Sequence, residues 1–151
     1  MHPTAKQVRL RQFRDFCRDN GLPFTAQRGA VLEAALERGD HPSADQVFAA
    51  VAKNMPAISR TTVYRTLETL VRIGMIARIC HPGSIARYDP RTDAHHHLVC
   101  QHCDAVIDIT DERLDSIRVP NVSAHGFEIR DFRVQFRGTC KRCRKNKEEV
   151  S

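Results

Sequence analysis

The chain has 151 residues, with 24 Lys+Arg against 18 Asp+Glu, a formal net charge of +6 and 6 cysteines. That length allows one or two small cores, and the basic excess favours an anionic partner such as DNA or RNA. No apolar run has the length of a signal-peptide core or a membrane span, so a cytoplasmic protein with no membrane partner is expected.

The first half reads as a series of short amphipathic helices. A helix from Thr4 to about Asn20 places Leu10, Phe13 and Cys17 on one face, and Asn20-Gly21-Leu22-Pro23 stops it. Thr25 is placed to cap a second helix carrying Val31, Leu32, Ala35 and Leu36, closed by Arg38-Gly39-Asp40. Ser43-Ala44-Asp45-Gln46 has capping-box form and opens a third, with Ala44, Val47, Phe48 and Val51 at helical spacing. A fourth begins near Ser59, aligns Val63, Leu67, Leu70 and Val71, and ends at Gly74. Met75 to Ile79 and Ile85 to Tyr88 then alternate on either side of His81-Pro82-Gly83-Ser84, the pattern of a small hairpin. Helices followed by a hairpin predict a winged helix-turn-helix, in which the helix before the wing enters the DNA major groove. Its polar face carries Arg60, Thr61, Thr62, Tyr64 and Arg65, side chains able to bond phosphates and base edges.

A polar, proline-containing connector over 89–94 divides a winged-helix domain over 1–88 from a second domain over 95–151. In the second domain, His97 to Cys100 and Ala105 to Ile109 read as strands that turn at Cys100-Gln101-His102-Cys103. A helix is expected around Glu112 to Ile117, and one longer or bulged strand from Phe127 to Phe136 would deliver Cys140. The charged tail from Arg144 to Ser151 is expected to fray. The predicted fold class is therefore α+β, a winged helix-turn-helix followed by a small α/β domain.

Cysteine and histidine usage points to metal. Cys100 and Cys103, with Cys140 and Cys143 in Cys140-Lys141-Arg142-Cys143, form two tight chelates whose four thiolates can close a tetrahedral site. Structural Zn(2+) is the first choice, although a rubredoxin-like iron or an iron–sulfur cluster takes the same ligands. In a reducing cytosol such pairs read as metal or redox sites before they read as disulfides. Cys17 and Cys80 stand outside the pairs as small apolar residues, with Cys80 beside His81 a lesser candidate ligand.

A second group lies just upstream of the first cysteine pair, in Asp93-Ala94-His95-His96-His97. In an extended chain His95 and His97 share a face and His96 points away. The turn brings Asp108 back alongside them, Asp89 lies in the connector, and His41 stands isolated before the third helix. Nitrogen and oxygen donors of this kind suit Fe(II), Mn(II) or Zn(II). Each residue also has an ordinary reading: a histidine run can be a solvated turn, Asp favours turns, and His before Pro starts loops. Spacing alone does not gather His41 with the others.

Phe24-Thr25-Ala26-Gln27-Arg28, His41-Pro42-Ser43-Ala44-Asp45, Thr62-Val63-Tyr64-Arg65-Thr66-Leu67, and His95-His96-His97 followed by Cys100-x-x-Cys103 resemble the ferric uptake regulator family in order and spacing, over nearly the whole chain. The resemblance implies a homodimeric transcription factor with a C-terminal dimerisation domain, a structural zinc held by Cys100, Cys103, Cys140 and Cys143, and a separate regulatory metal. By position the regulatory ligands would be His41, Asp89, His95, His97 and Asp108, and Tyr64 and its neighbours would read the DNA. Iron-sensing members tend to have Glu at the position of Asp89, and zinc-sensing members Cys. The peroxide-regulator branch has Asp there and at the position of Asp108, so the chain looks similar to that branch. Two departures stand out: many members have His where Phe132 stands, which argues against an additional metal site, and Gly where Asp104 stands, a residue that still tolerates a left-handed turn.

The resemblance therefore implies a metal-dependent repressor that binds a double-stranded DNA operator with an inverted repeat, with Fe(2+) or Mn(2+) as the regulatory cofactor. The ligand set spans both halves, so metal should fix the angle between domains and hence the spacing of two recognition helices, about one helical turn or ~34 Å. In the peroxide branch His41 or His95 would be oxidised, with loss of metal and DNA. A plain iron-responsive repressor is the alternative reading. A small non-haem Fe(II) enzyme ranks lower: two histidines and a carboxylate also form a facial triad, but so short a chain leaves little room for a substrate pocket. No nucleophile–base pair or phosphate-cradling glycine loop suggests catalysis, and no organic small-molecule substrate is expected.

Overall fold

In a computed structural model, residues 3–80 and 85–149 are described, with backbone alone for 147–149. The turn expected at His81 to Ser84, and the last two residues of the expected tail, lie outside the described residues. The chain folds as two compact units, Met1–Thr92 and Asp93–Ser151.

The first unit is built by four helices whose starts are written in their capping residues. Helix α1 (Ala5–Asp19) begins at Thr4, whose hydroxyl accepts from the Gln7 amide while the Gln7 side chain returns to the Thr4 amide. Thr25 caps α2 (Ala26–Glu37), Ser43 caps α3 (Ala44–Ala52) with a second reciprocal box through Gln46, and Ser59 caps α4 (Arg60–Arg72). Phe13, Val31, Leu32, Val47, Val63, Leu67 and Leu70 are fully buried in one cluster. Removing that much apolar surface from water contributes about 1.5–3 kcal/mol per large side chain before entropy is counted. Gly74, at φ 74, turns the chain out of α4 in a conformation that favours glycine.

Beyond that turn, β1 (Ala77–Ile79) pairs antiparallel with β2 (Arg87–Asp89), with Ala77 opposite Asp89 and Ile79 opposite Arg87. Helices α3 and α4 followed by this pair make the winged helix-turn-helix. Arg9 of α1 ties the wing back by donating to the carbonyls of Met75 and Pro90.

In the second unit the sheet order is β4-β3-β5. Strand β3 (His96–Cys100) is central, antiparallel to β4 (Val106–Ile109) and parallel to β5 (Gln135–Gly138). The short helix α5 (Glu112–Asp115) follows β4, a 3-10 turn spans Ser123–His125, and α6 (Lys141–Glu149) ends the described chain.

Two expectations are corrected. The long strand over Phe127 to Phe136 shrinks to β5, because the ladder with β3 begins only at the pair His97–Gln135, next to the first residue of β3, and Phe127 is left 67% exposed. The tail expected to fray is helical as far as Glu149. Its Lys, Arg and Glu residues are good helix formers, and its first turn is held in place by Cys140 and Cys143.

Candidate metal centres and nucleic-acid interface

Cys100 ends β3, and Cys103 sits in the turn that leads into β4. That turn closes because Asp104, at φ 55, adopts the left-handed conformation its short polar side chain tolerates, while its amide donates to the Cys100 carbonyl at 3.0 Å. The parallel pairing of β3 with β5 brings the chain end alongside: Gln101 N–H donates to the Gly138 carbonyl at 2.9 Å, and Cys140 N–H points at Cys100 Sγ at 3.4 Å. Ligand sulfurs of Cys100, Cys103, Cys140 and Cys143 all lie within 4.8 Å of one another, Cys103 and Cys140 at 3.7 Å. Zinc–sulfur bonds of about 2.3 Å at a tetrahedral centre require sulfurs ~3.8 Å apart. The donor set therefore fits structural zinc.

Thiolate chemistry is already favoured there. Burial pushes the Cys100 thiol up, but the amide groups of Cys140, His102 and Cys103 outweigh it and hold the thiol down at about 6. The Cys143 amide lowers Cys140 as well, and Cys143, hydrogen-bonded to Cys140, is pushed up to about 12. Some of the four thiols thus keep a proton until a cation displaces it. His102 is exposed and lies outside the sulfur cluster.

The histidine run follows the predicted alternation. In the second unit His95 Nε2 and His97 Nε2 are 3.1 Å apart, and Asp108, paired with His97 across β3 and β4, sets its carboxylate 3.6 and 3.4 Å from them. His95 Nδ1 lies 2.7 Å from the Asp93 carbonyl, which can only accept, so the proton sits on Nδ1 and Nε2 keeps its lone pair for a cation. In the first unit His41 Nε2 lies 3.8 Å from Asp89 Oδ1, both side chains almost fully buried. His41 is held at φ 53, an uncommon conformation for a side-chain-bearing residue, and the Tyr88 amide donates to the Pro42 carbonyl at 2.9 Å. That bond anchors the His41 loop beside Asp89 at the end of β2. Buried carboxylates and imidazoles with no sulfur among them suit Fe(II) or Mn(II).

On α4 the buried stripe of Val63, Thr66, Leu67 and Leu70 leaves the opposite face to solvent. Arg60, Thr61, Tyr64 and Arg65 are exposed there, while Thr62 is half-buried with its hydroxyl 2.9 Å from that of Ser59. Arg60 is also paired with Asp45 of α3 and lies over the Phe48 ring at 4.5 Å, so its side chain is held by the helix before it.

The model of the ferric uptake regulator family matches residues 19–137. The chain belongs to that family. It is 38% identical over 125 residues to the ferric uptake regulation protein of Bacillus subtilis, covering 80% of this chain and 84% of that protein. It is 30% identical over 126 residues to the peroxide-responsive repressor PerR of Staphylococcus saprophyticus, covering 83% and 85%. The solved ferric uptake regulator Fur of Helicobacter pylori superposes with a TM-score of 0.78 at 23% identity, over 93% of this chain and 95% of that one, a likeness of fold.

As a family member the protein is a metal-responsive, DNA-binding transcriptional regulator and not an enzyme. Its donor sets fit structural zinc and a regulatory iron or manganese, and as a family member it works on a DNA operator as a dimer. Among the described residues no helix is long and apolar enough to cross a membrane.

The sequence reading missed two groups. His96, set aside as facing away, is buried and bonded to Asp115 of α5. Leu98, Ile107 and Phe136 stand side by side across β3, β4 and β5 and are 39%, 53% and 46% exposed. The period-2 alternation that selected His95 and His97 was the available signal for both groups.

Proposed function

We propose that the protein is a peroxide-responsive repressor in which His41, Asp89, His95, His97 and Asp108 hold one Fe(II) or Mn(II), and His41 and His95 are the side chains that peroxide oxidises. The observation that carries this reading is the donor set itself: three histidines and two aspartates, with Asp rather than Glu at both acidic positions. Curated relatives named as peroxide-responsive repressors support it. Bound Fe(II) would supply the one-electron chemistry that peroxide needs. His41 and Asp89 belong to the winged-helix half and His95, His97 and Asp108 to the other, so their common use would favour one arrangement of the halves over the rest. Arg60, Thr61, Thr62, Tyr64 and Arg65 would then meet successive major grooves of an inverted repeat, Arg65 and Tyr64 at base edges and phosphates.

The test is operator binding by the Fe(II) and Mn(II) proteins, each before and after peroxide. The Fe(II) form is expected to lose DNA irreversibly, with one added oxygen atom on His41 or His95 in peptide mass spectra, and the Mn(II) form to keep it. Retained DNA binding with unmodified histidines would instead favour the iron-responsive repressor, the reading supported by the 38% identity to the Bacillus subtilis ferric uptake regulation protein.

For the homodimer, the row of Leu98, Ile107 and Phe136 is the surface we assign to the second copy. Three adjacent apolar side chains on a sheet are costly to leave in water, at about 25 cal/mol per Å². Phe136→Asp should weaken the dimer on the order of 100-fold, the equivalent of about 2.7 kcal/mol. Sedimentation velocity across a dilution series reads this directly, and an unchanged dimer would move the interface elsewhere.

A further inference from the structure

We propose that His96 is a positioning residue for the regulatory metal: its ring, clamped between Asp115 and the backbone of Val134, fixes the rotation of β3 that makes His95 and His97 face the same side. The inference rests on the ligand assignment proposed above.

The clamp has three contacts. His96 Nδ1 accepts from the Val134 amide at 3.0 Å, so the ring proton lies on Nε2, which donates to Asp115 Oδ1 at 2.9 Å. Phe132 stacks on the ring, with centroids 6.2 Å apart and planes inclined by 29°. The imidazole is 2% exposed, with both nitrogens engaged.

Val134 makes a second tie to the same strand. Its carbonyl accepts from His97 N–H at 3.0 Å, so one residue holds both the His96 ring and the His97 backbone. A strand has few ways to rotate once a side chain and the next amide are pinned to one neighbour. Because side chains alternate, fixing His96 on one face fixes His95 and His97 on the other, and a slip of one residue would exchange them. His96 opens β3, where ladder bonds alone would let the strand end turn; its ring takes the Val134 amide just before β5 begins. Asp115 ties that ring to α5, and Phe132 covers it where a further ligand would have to approach.

Three variants test this by Mn(II) titration followed by electron paramagnetic resonance, with zinc content measured in parallel. Asp115→Leu removes the acceptor and should weaken Mn(II) binding about 10–100-fold, the range for partners that orient metal ligands, while one zinc per chain is retained. Asp115→Asn keeps an acceptor oxygen and should restore affinity to within about threefold of the native protein. His97→Ala is the control for the ligand assignment. Native Mn(II) affinity in Asp115→Leu would overturn the proposal, as would joint loss of zinc and manganese, which marks a merely structural role. Unchanged affinity in His97→Ala would instead sink the ligand assignment, and the positioning role with it.

Discussion

Cys143→Ser and Cys103→Ser are each expected to cost the protein its zinc and, with it, the cooperative folding of the second unit. The reason lies in how little else holds that unit together. Among the described residues the buried apolar cluster draws on α1 to α4, Ile58, Ile76 and Tyr88, and none of it comes from beyond Asp93. Val99 and Cys100 are the buried apolar residues the second unit offers. A closed four-thiolate zinc contributes on the order of 10–16 kcal/mol in small zinc domains, comparable to or larger than the whole stability of a typical domain, about 5–15 kcal/mol. Removing one sulfur opens the tetrahedron to water and leaves three thiols near one another without their cation. Zinc content by atomic absorption should fall from one per chain towards zero, and the far-ultraviolet thermal transition should split, with the winged-helix half melting separately. A zinc-free variant with the native melting profile would refute the staple. Chelation of the native protein should give the same split transition, reversed by added zinc.

His97→Ala and Asp108→Ala should do the opposite: leave zinc and folding in place and remove the response to the second metal. Asp108 is the carboxylate beside both imidazoles, at 3.6 and 3.4 Å, and under the proposed assignment it would help to offset a divalent cation. Losing it would remove a proposed ligand and a negative charge together. Mn(II) affinity is expected to drop at least 100-fold, equivalent to about 2.7 kcal/mol or more, and operator binding to vanish at manganese concentrations that saturate the native protein. Titration with fluorescence anisotropy on a labelled operator checks it. Asp108→Ala binding the operator as the native protein does, at the same metal concentration, would show that the carboxylate is not a ligand. The contrast between the two sets of variants is itself informative: one changes stability at any metal level, the other changes only the metal level at which DNA is bound.

How far the sequence carried these conclusions varied with the range of the forces involved. Helix starts at Thr4, Thr25, Ser43 and Ser59 were legible because capping is decided within four residues. The cysteine chelates and the His95/His97 pair were legible for the same reason: spacing within one turn or one strand dictates which atoms converge. The start of β5 was not, since it depends on where β3 begins, and that strand lies far away in sequence. The helical tail was hidden because its first turn carries Cys143 just after Cys140, and their sulfurs meet those of Cys100 and Cys103 from a strand and turn distant in sequence. His96 was the most instructive omission. Alternation assigned it correctly to the other face, but the partners that occupy that face, Asp115 and Val134, are brought there by the tertiary fold.

One consequence follows from strand β3, which carries His97 near its start and Cys100 at its end. A five-residue strand spans only about 16 Å, so under the proposed assignment a ligand of each metal would ride on the same short element. A newly made chain would then be expected to take up zinc first, since drawing Cys100 into the cluster steadies the far end of the strand whose start the Val134 ties hold. A cell short of zinc would accumulate a repressor that is deaf to iron and manganese however plentiful these are. Supply of the first metal then sets how many molecules can report on the second.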